Sequence, residues 1–337
     1  MAASARFTAL AYFYCLLLLT MASAGDVFDH GRHGTSLSQV QEAKTSRCSP
    51  ASVAGPPKPL LIAAPSDAGE YPVVVFLHGY LANNYFYSQL LQHVASHGFI
   101  VVAPQLYTFS GPDTTGEISS AAAVIDWLAD GGLSSSLPPN VRPNLTAVSI
   151  SGHSRGGKVA FALALGHART SLPLAALIAV DPVDGMAPGR QTPPPILTYR
   201  EASLRVPAPV MVIGTGLGAL RPPCAPLGVS HAEFYHECAA PACHLVARDY
   251  GHTDMMDDVT CGAKGLATRA VCKSGGARAP MRRFVAGAMV AFLKKWVDGR
   301  PEWLDGIRER PEVAPVVLSA VEFRDAGTRI HGVMLPA

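Results

Sequence analysis

Residues 145–164 constrain this chain more than any other stretch. Leu145-Thr146-Ala147-Val148-Ser149-Ile150-Ser151 leads into Gly152-His153-Ser154-Arg155-Gly156-Gly157, and Lys158-Val159-Ala160-Phe161-Ala162-Leu163-Ala164 follows. A β-favouring run ends at Gly152, and a helical run begins near Arg155. The Gly-x-Ser-x-Gly between them predicts a sharp strand-to-helix turn that holds Ser154 out as a nucleophile. Glycines two residues either side let strand and helix approach closely, while the serine takes a strained backbone angle. The competing reading is an ordinary glycine-rich turn whose serine caps the helix.

Apolar and helical runs alternate on both sides of this turn. Strands are expected at 59–64, 72–77, 99–104, 174–180, 207–213 and 244–247, and helices at 87–97, 118–128, 155–167 and 281–297. Val73-Val74-Val75-Phe76 is apolar without alternation, as in a central strand covered on both faces. Short apolar strands alternating with helices predict an α/β fold, a mostly parallel central sheet with helices on both faces. With the serine turn, this is the pattern of an α/β-hydrolase fold, whose catalytic side chains lie at the C-terminal ends of strands.

A serine hydroxyl needs a base, and the base needs an orienting acid. In this fold they follow in the order Ser, acid, His. His252, in the Tyr-Gly-His turn after the last expected strand of the domain, is the favoured base, with His231 and His236 as rivals. His167, at the far end of the serine's helix, and His244, opening a strand, read as structural, as does His153 beneath the turn. Asp181 ends the strand after the serine unit and is the favoured acid; Asp184 and Glu233 stay open, and Asp249 is too near His252 in sequence to orient it. The expected oxyanion donors are the backbone amides of Arg155 and of Tyr80, in His78-Gly79-Tyr80 after the second strand. The reaction class is hydrolysis of an ester, or an amide, through an acyl-enzyme. The chain has no Gly-x-Gly-x-x-Gly, no phosphate loop and no His-Glu-x-x-His, so no cofactor or metal is implied.

The remaining sequence sets the boundaries. The chain has 337 residues, 49% of them hydrophobic and 15% charged, enough for one large core. A net charge of +2 with scattered basic residues offers no field for nucleic acid. Residues 1–24 read as a targeting segment: Arg6, an apolar run, then Ala22-Ser23-Ala24 resembling a cleavage site. A secretory signal fits first; a plastid transit peptide is the rival, and the run is short for a membrane span. Residues 25–57 read as a loosely packed arm and 58–300 as the catalytic domain, with an insertion at 217–242. Residues 301–337 read as a tail or strand packed on the body. Of seven cysteines, removal of the leader leaves six, five of them between Cys224 and Cys272, an arrangement that fits disulfides better than zinc. Asn144-Leu145-Thr146 is a glycosylation sequon that matters only on the secretory route.

Several segments together resemble the plant chlorophyllases. They are Gly152-His153-Ser154-Arg155-Gly156-Gly157, Phe76-Leu77-His78-Gly79-Tyr80, Val180-Asp181-Pro182-Val183, Pro222-Pro223-Cys224-Ala225-Pro226, Glu233-Phe234-Tyr235 and Asp249-Tyr250-Gly251-His252-Thr253-Asp254-Met255. They span roughly 55–300 in the family's order. The resemblance implies removal of the phytyl chain of chlorophyll by a triad of Ser154, Asp181 and His252. It also implies plastid delivery and peripheral access to a membrane-held substrate. Asp184 is a departure, since relatives often carry a small residue there. An isoprenoid ester demands an apolar trough, and Leu217, Leu220, Leu227, Phe234 and Tyr235 of the insertion are expected to form one wall. A broader carboxylesterase or lipase, or a catalytically silent ligand-binding relative, are the alternatives.

Overall fold

The computed structural model describes residues 26–43 and 55–326. The strands are β1 (Thr35–Val40), β2 (Leu60–Pro65), β3 (Gly69–Leu77), β4 (Ile100–Pro104), β5 (Val141–His153), β6 (Leu174–Val180), β7 (Val210–Thr215), β8 (Ala242–Ala247) and β9 (Leu318–Arg324). They form one sheet in the order β1-β2-β4-β3-β5-β6-β7-β8-β9. Pairing from β4 through β8 is parallel, whereas β1, β2 and β9 pair antiparallel.

The helices are α1 (Ser88–Ser96), α2 (Thr115–Ala129), α3 (Arg155–Ala164), α4 (His231–Glu237), α5 (Gly262–Ala270), α6 (Arg278–Trp296) and α7 (Glu302–Glu309). Alternate residues of each central strand enter opposite cores. Val74, Phe76, Ile178 and Ile213 pack with α1, α6 and α7, while Val73, Val75, Leu77, Ile150 and Val212 pack with α2 and α3. Two-sided cover explains why these strands read as continuous apolar runs, and each fully buried large side chain contributes roughly 1.5–3 kcal/mol. Among the described residues no helix is long and apolar enough to cross a membrane.

Both ends of the described chain are knitted into the body, which corrects the expected loose arm where it is described. Val27 and Phe28 are buried against α6, where a Cβ at Gly287 would come within 2.4 Å of the Phe28 ring. Strand β1 adds to the edge of β2 from Thr35↔Pro65 to Val40↔Leu60. Its sequence, Thr-Ser-Leu-Ser-Gln-Val, is polar because an edge strand keeps much of its surface in water. The expected tail is a helix, α7, followed by strand β9 on β8. The expected unpatterned insertion contains α4, opened by a reciprocal Ser230–Glu233 capping box. The leader, Cys15, Cys48 and His331 lie outside the described residues.

Register positions the site. Leu77 stands opposite Gly152, and Gly152 opposite Ala179, so β3, β5 and β6 end together. The His78 loop, Ser154 and Asp181 leave the sheet side by side, and β8 delivers the His252 loop to the same edge.

Candidate active site

Ser154 has φ 57° and ψ −122°, a conformation few non-glycine residues adopt. The contacts that force it are specific. A Cβ at Gly152 would lie 2.3 Å from the Gly156 carbonyl oxygen, and one at Gly156 would lie 2.2 Å from the Leu77 carbonyl oxygen. The Ser154 amide donates to the Val180 carbonyl at 2.9 Å, tying the turn to the end of β6.

From this turn the Ser154 hydroxyl reaches His252 Nε2 at 2.8 Å, and His252 Nδ1 reaches Asp181 Oδ2 at 2.7 Å. A carboxylate accepts, so Nδ1 carries the proton and Nε2 is left to accept from the serine. Asp181 is fully buried. Burial alone would raise its pKa, but the His252 hydrogen bond and charge, the nearby His231 and the Thr215 hydroxyl together hold it below the usual carboxylate value. Thr215 donates its hydroxyl to Asp181 Oδ2 at 2.6 Å and its amide to Oδ1 at 3.2 Å. Thr215 lies just past the strand expected at 207–213 and is not among the expected site residues. Its hydroxyl at the end of the strand beside the acid's strand was the available signal.

A second tier fixes the loop that carries the base. Asp254 accepts the amides of Gly251 and Gly275, each at 2.7 Å, and the Ser274 hydroxyl. His153, buried under the turn, bonds the His252 carbonyl through Nε2 at 2.8 Å and the Tyr87 hydroxyl through Nδ1 at 2.8 Å. The carbonyl can only accept, so Nε2 is protonated and Tyr87 donates to Nδ1. Burial, then the neighbouring His252 charge, push the His153 pKa down to about 3.

The rival residues are occupied elsewhere. Asp184 is fully buried, 2.8 Å from Lys158 Nζ, and accepts the Ile196 and Leu197 amides at 2.8 and 2.9 Å. Glu233 caps α4, and Asp249 pairs with Arg248 at the surface. His231 bonds His244, which bonds Glu322; His167 is exposed. His236 is exposed and lines neither cavity lobe at Ser154. The Arg155 side chain is held by buried Glu117 at 2.6 Å, leaving its backbone at the first turn of α3. A Cβ at Gly79, next to Tyr80, would lie 3.2 Å from Ser154 Cβ, so the two loops touch.

Two lobes of about 370 and 300 Å³ meet at Ser154. Tyr80, Ser154, Met186 and Cys224 line both. None of Leu217, Leu220, Leu227, Phe234 and Tyr235 lines either lobe. Phe234 points into the core, its ring 4.8 Å from Phe161, and Tyr235 stacks on His244 at 4.9 Å. Leu220 and Leu227 face solvent, and Leu217 is half-buried. The capped α4 turns its aromatic residues inward, so the insertion reaches the cavity through Pro223 and Cys224 instead. Cys224 is bonded to Cys272, joining the insertion to the segment after α5. Cys238 and Cys243 are buried free thiols, and Cys261 is exposed.

A family model described as Chlorophyllase matches residues 23–325. The chain belongs to the chlorophyllase family. It is 49% identical over 305 residues to Chlorophyllase-2 of Arabidopsis thaliana, covering 86% of this chain and 95% of that protein. It is 47% identical over 271 residues to Chlorophyllase-1 of the same plant, covering 78% and 83%. Chlorophyllase-1, chloroplastic, of Citrus unshiu is 44% identical over 282 residues, covering 82% and 83%. The matched region contains every residue of the hydrogen-bonded chain from Ser154 to Thr215, so the chlorophyllase match and the site geometry describe the same part of the molecule.

Proposed function

We propose that this protein hydrolyses the phytyl ester of chlorophyll, releasing chlorophyllide and phytol. The observation that carries this is the Ser154–His252–Asp181 hydrogen-bond chain at the junction of the two lobes. An ester with two large halves needs space on both sides of the attacked carbonyl, and family membership identifies such an ester.

Ser154 Oγ attacks the ester carbonyl as its proton passes to His252 Nε2. Asp181 holds the ring in the reactive tautomer and stabilises the imidazolium that forms. The carbonyl oxygen gains negative charge and is held by the Arg155 and Tyr80 amides. Support for these donors is the position of Arg155 at the start of α3 and the contact of Gly79 with Ser154. One such donor is worth about 10²–10³ in rate. Imidazolium Nε2–H then protonates the phytol oxygen as the C–O bond breaks. A water, deprotonated by His252, attacks the acyl-enzyme and frees the chlorophyllide carboxylate. The central magnesium belongs to the substrate.

The test compares turnover of chlorophyll with that of a short-chain nitrophenyl ester by wild type and Ser154→Ala. Chlorophyll cleavage that vanishes in the variant is expected. Good cleavage of the short ester with none of chlorophyll would overturn the chlorophyll assignment in favour of a general carboxylesterase. Chloroplast delivery is proposed from the relatives' naming, and sequencing the mature N-terminus in plant cells tests it against the secretory reading of residues 1–24.

A further inference from the structure

The most exposed large apolar side chains are not scattered over the described surface. Phe109, Met186, Leu227, Val259 and Leu266 range from 68% exposed at Met186 to 78% at Phe109. All five lie on segments that wall the two lobes. Phe109 precedes Gly111 and Pro112, Met186 lines both lobes, and Leu227 follows Cys224 by three residues. Val259 leads into α5, and Leu266 lies on it.

Helix α5 buries little beyond Gly265 and Thr268. Its cavity side is Lys264, Ala267, Thr268 and then Val271, at helical spacing. Ala263, Leu266, Arg269 and Ala270 are exposed. The helix is fastened at both ends. Lys264 Nζ donates to the Thr108 carbonyl at 2.6 Å and sits 4.8 Å from the Phe109 ring centre, and Cys272 is bonded to Cys224. The apolar surface is therefore held in place on a fixed scaffold.

Charge around it is mostly positive. Residues 259–277 contain Lys264, Arg269 and Lys273 and no acid, and exposed Arg190 and Arg221 stand on the neighbouring wall segments. Of the adjacent acids, Asp258 pairs with Arg282 at 2.6 Å, while exposed Asp113 keeps its charge and is outnumbered by these cations. Apolar side chains ringed by cations are the surface that inserts into the interface of an anionic bilayer.

We infer that the rim of the cavity, centred on α5, docks on a lipid bilayer bearing anionic headgroups, so that the lobes open toward the acyl-chain region. The inference rests on reading those lobes as the ester site. It explains why the most exposed large apolar side chains among the described residues lie around the edge of the sheet that carries Ser154.

The experiment is flotation of the full protein with pigment-free vesicles of phosphatidylcholine, with and without phosphatidylglycerol. Wild type is expected to bind the anionic vesicles at least tenfold better than the neutral ones. Phe109→Ser/Val259→Ser/Leu266→Ser is expected to lower anionic-vesicle binding at least tenfold, with nitrophenyl acetate turnover within twofold of wild type. Arg269→Gln/Lys273→Gln is expected to remove most of the preference for anionic vesicles. Absence of vesicle binding by wild type overturns the inference. So does a triple variant that binds like wild type, or one whose change is loss of self-association in sedimentation. If the triple variant also loses soluble-ester turnover, the Arg269/Lys273 variant decides: unchanged anionic preference overturns the inference, and its loss supports it. Pigment-free vesicles keep this separate from the functional proposal, which fails instead if vesicles bind and chlorophyll is not cleaved.

Discussion

His153 Nε2–H is bonded to the backbone carbonyl of His252 at 2.8 Å, so the residue immediately before Ser154 in the chain positions the loop that carries its base. The two catalytic groups come from elements 98 residues apart, and this bond joins their supports directly. Tyr87 completes the brace by donating to His153 Nδ1 and accepting the Gly79 amide at 3.2 Å. Tyr87→Phe leaves a buried nitrogen and a buried amide without partners. The expected cost is about 1–3 kcal/mol of stability, seen in urea melts, with a fall in kcat of about tenfold. Unchanged kcat and urea midpoint would show that the brace is idle.

Asp181→Asn presents an amide to His252 and favours the wrong tautomer. A loss in kcat of about 10⁴ is expected. Thr215→Val keeps the Asp181–His252 bond and removes one hydrogen bond from the acid, which predicts about a tenfold loss. Steady-state rates on a soluble ester rank the two variants. Equal losses would mean that Thr215 does more than support the acid.

Lys158 and Asp184 are both completely buried. Their pair ties α3 to the loop between Val183 and Thr192, because Lys158 Nζ also donates to the Thr192 hydroxyl at 2.6 Å. Burial pulls the Lys158 pKa down and Asp184 resists that pull. Lys158→Met strands a buried carboxylate, for an expected loss of about 3–5 kcal/mol in chemical denaturation. Lys158→Met/Asp184→Leu should recover part of it; no recovery would locate the damage in the loop amides rather than in the unpaired charge.

Stability should fall on the acid side of neutrality. Burial pushes the His78 pKa down to about 4, and burial with the His252 charge pushes His153 down to about 3, from an ordinary value of 6.5. The unfolded chain takes up protons near pH 6.5 that the folded chain refuses. Their contribution is therefore full above about 6.5 and is lost as pH drops toward the folded values, at about 1.4 kcal/mol per pH unit for each histidine. The depressed Asp181 acts in the same direction at still lower pH. Urea midpoints at pH 8, 6.5 and 5 should be level over the first step and fall over the second. A flat profile down to pH 5 contradicts the buried-neutral assignment.

The serine turn was legible because steric need and sequence coincide: Gly152 and Gly156 sit where backbone oxygens allow no Cβ. Covered strands were legible as apolar runs. The ends of the chain were not. Strand β1 is a polar edge, and the helical phase of α7 is carried by few apolar residues, with Leu304 and Ile307 buried. The expected wall of the trough failed to appear among the lining residues for a related reason. Phe234 and Tyr235 carry no mark that distinguishes a core aromatic from a cavity aromatic, and in the fold both are buried away from the lobes. Met186 and Cys224, which do line the lobes, lie in loops where no periodicity points to a face.

The antiparallel pairing of β9 on β8 has a consequence for synthesis. Residues 248–317 separate β8 from β9. While those residues are being added to a nascent chain, the β8 edge has no strand to pair with. The parallel sheet, catalytic turn included, therefore first exists with one open edge, the state in which sheets are most prone to recruit a stranger. Closure of that edge waits until β9 has been made, and that strand then protects the product of all the earlier ones.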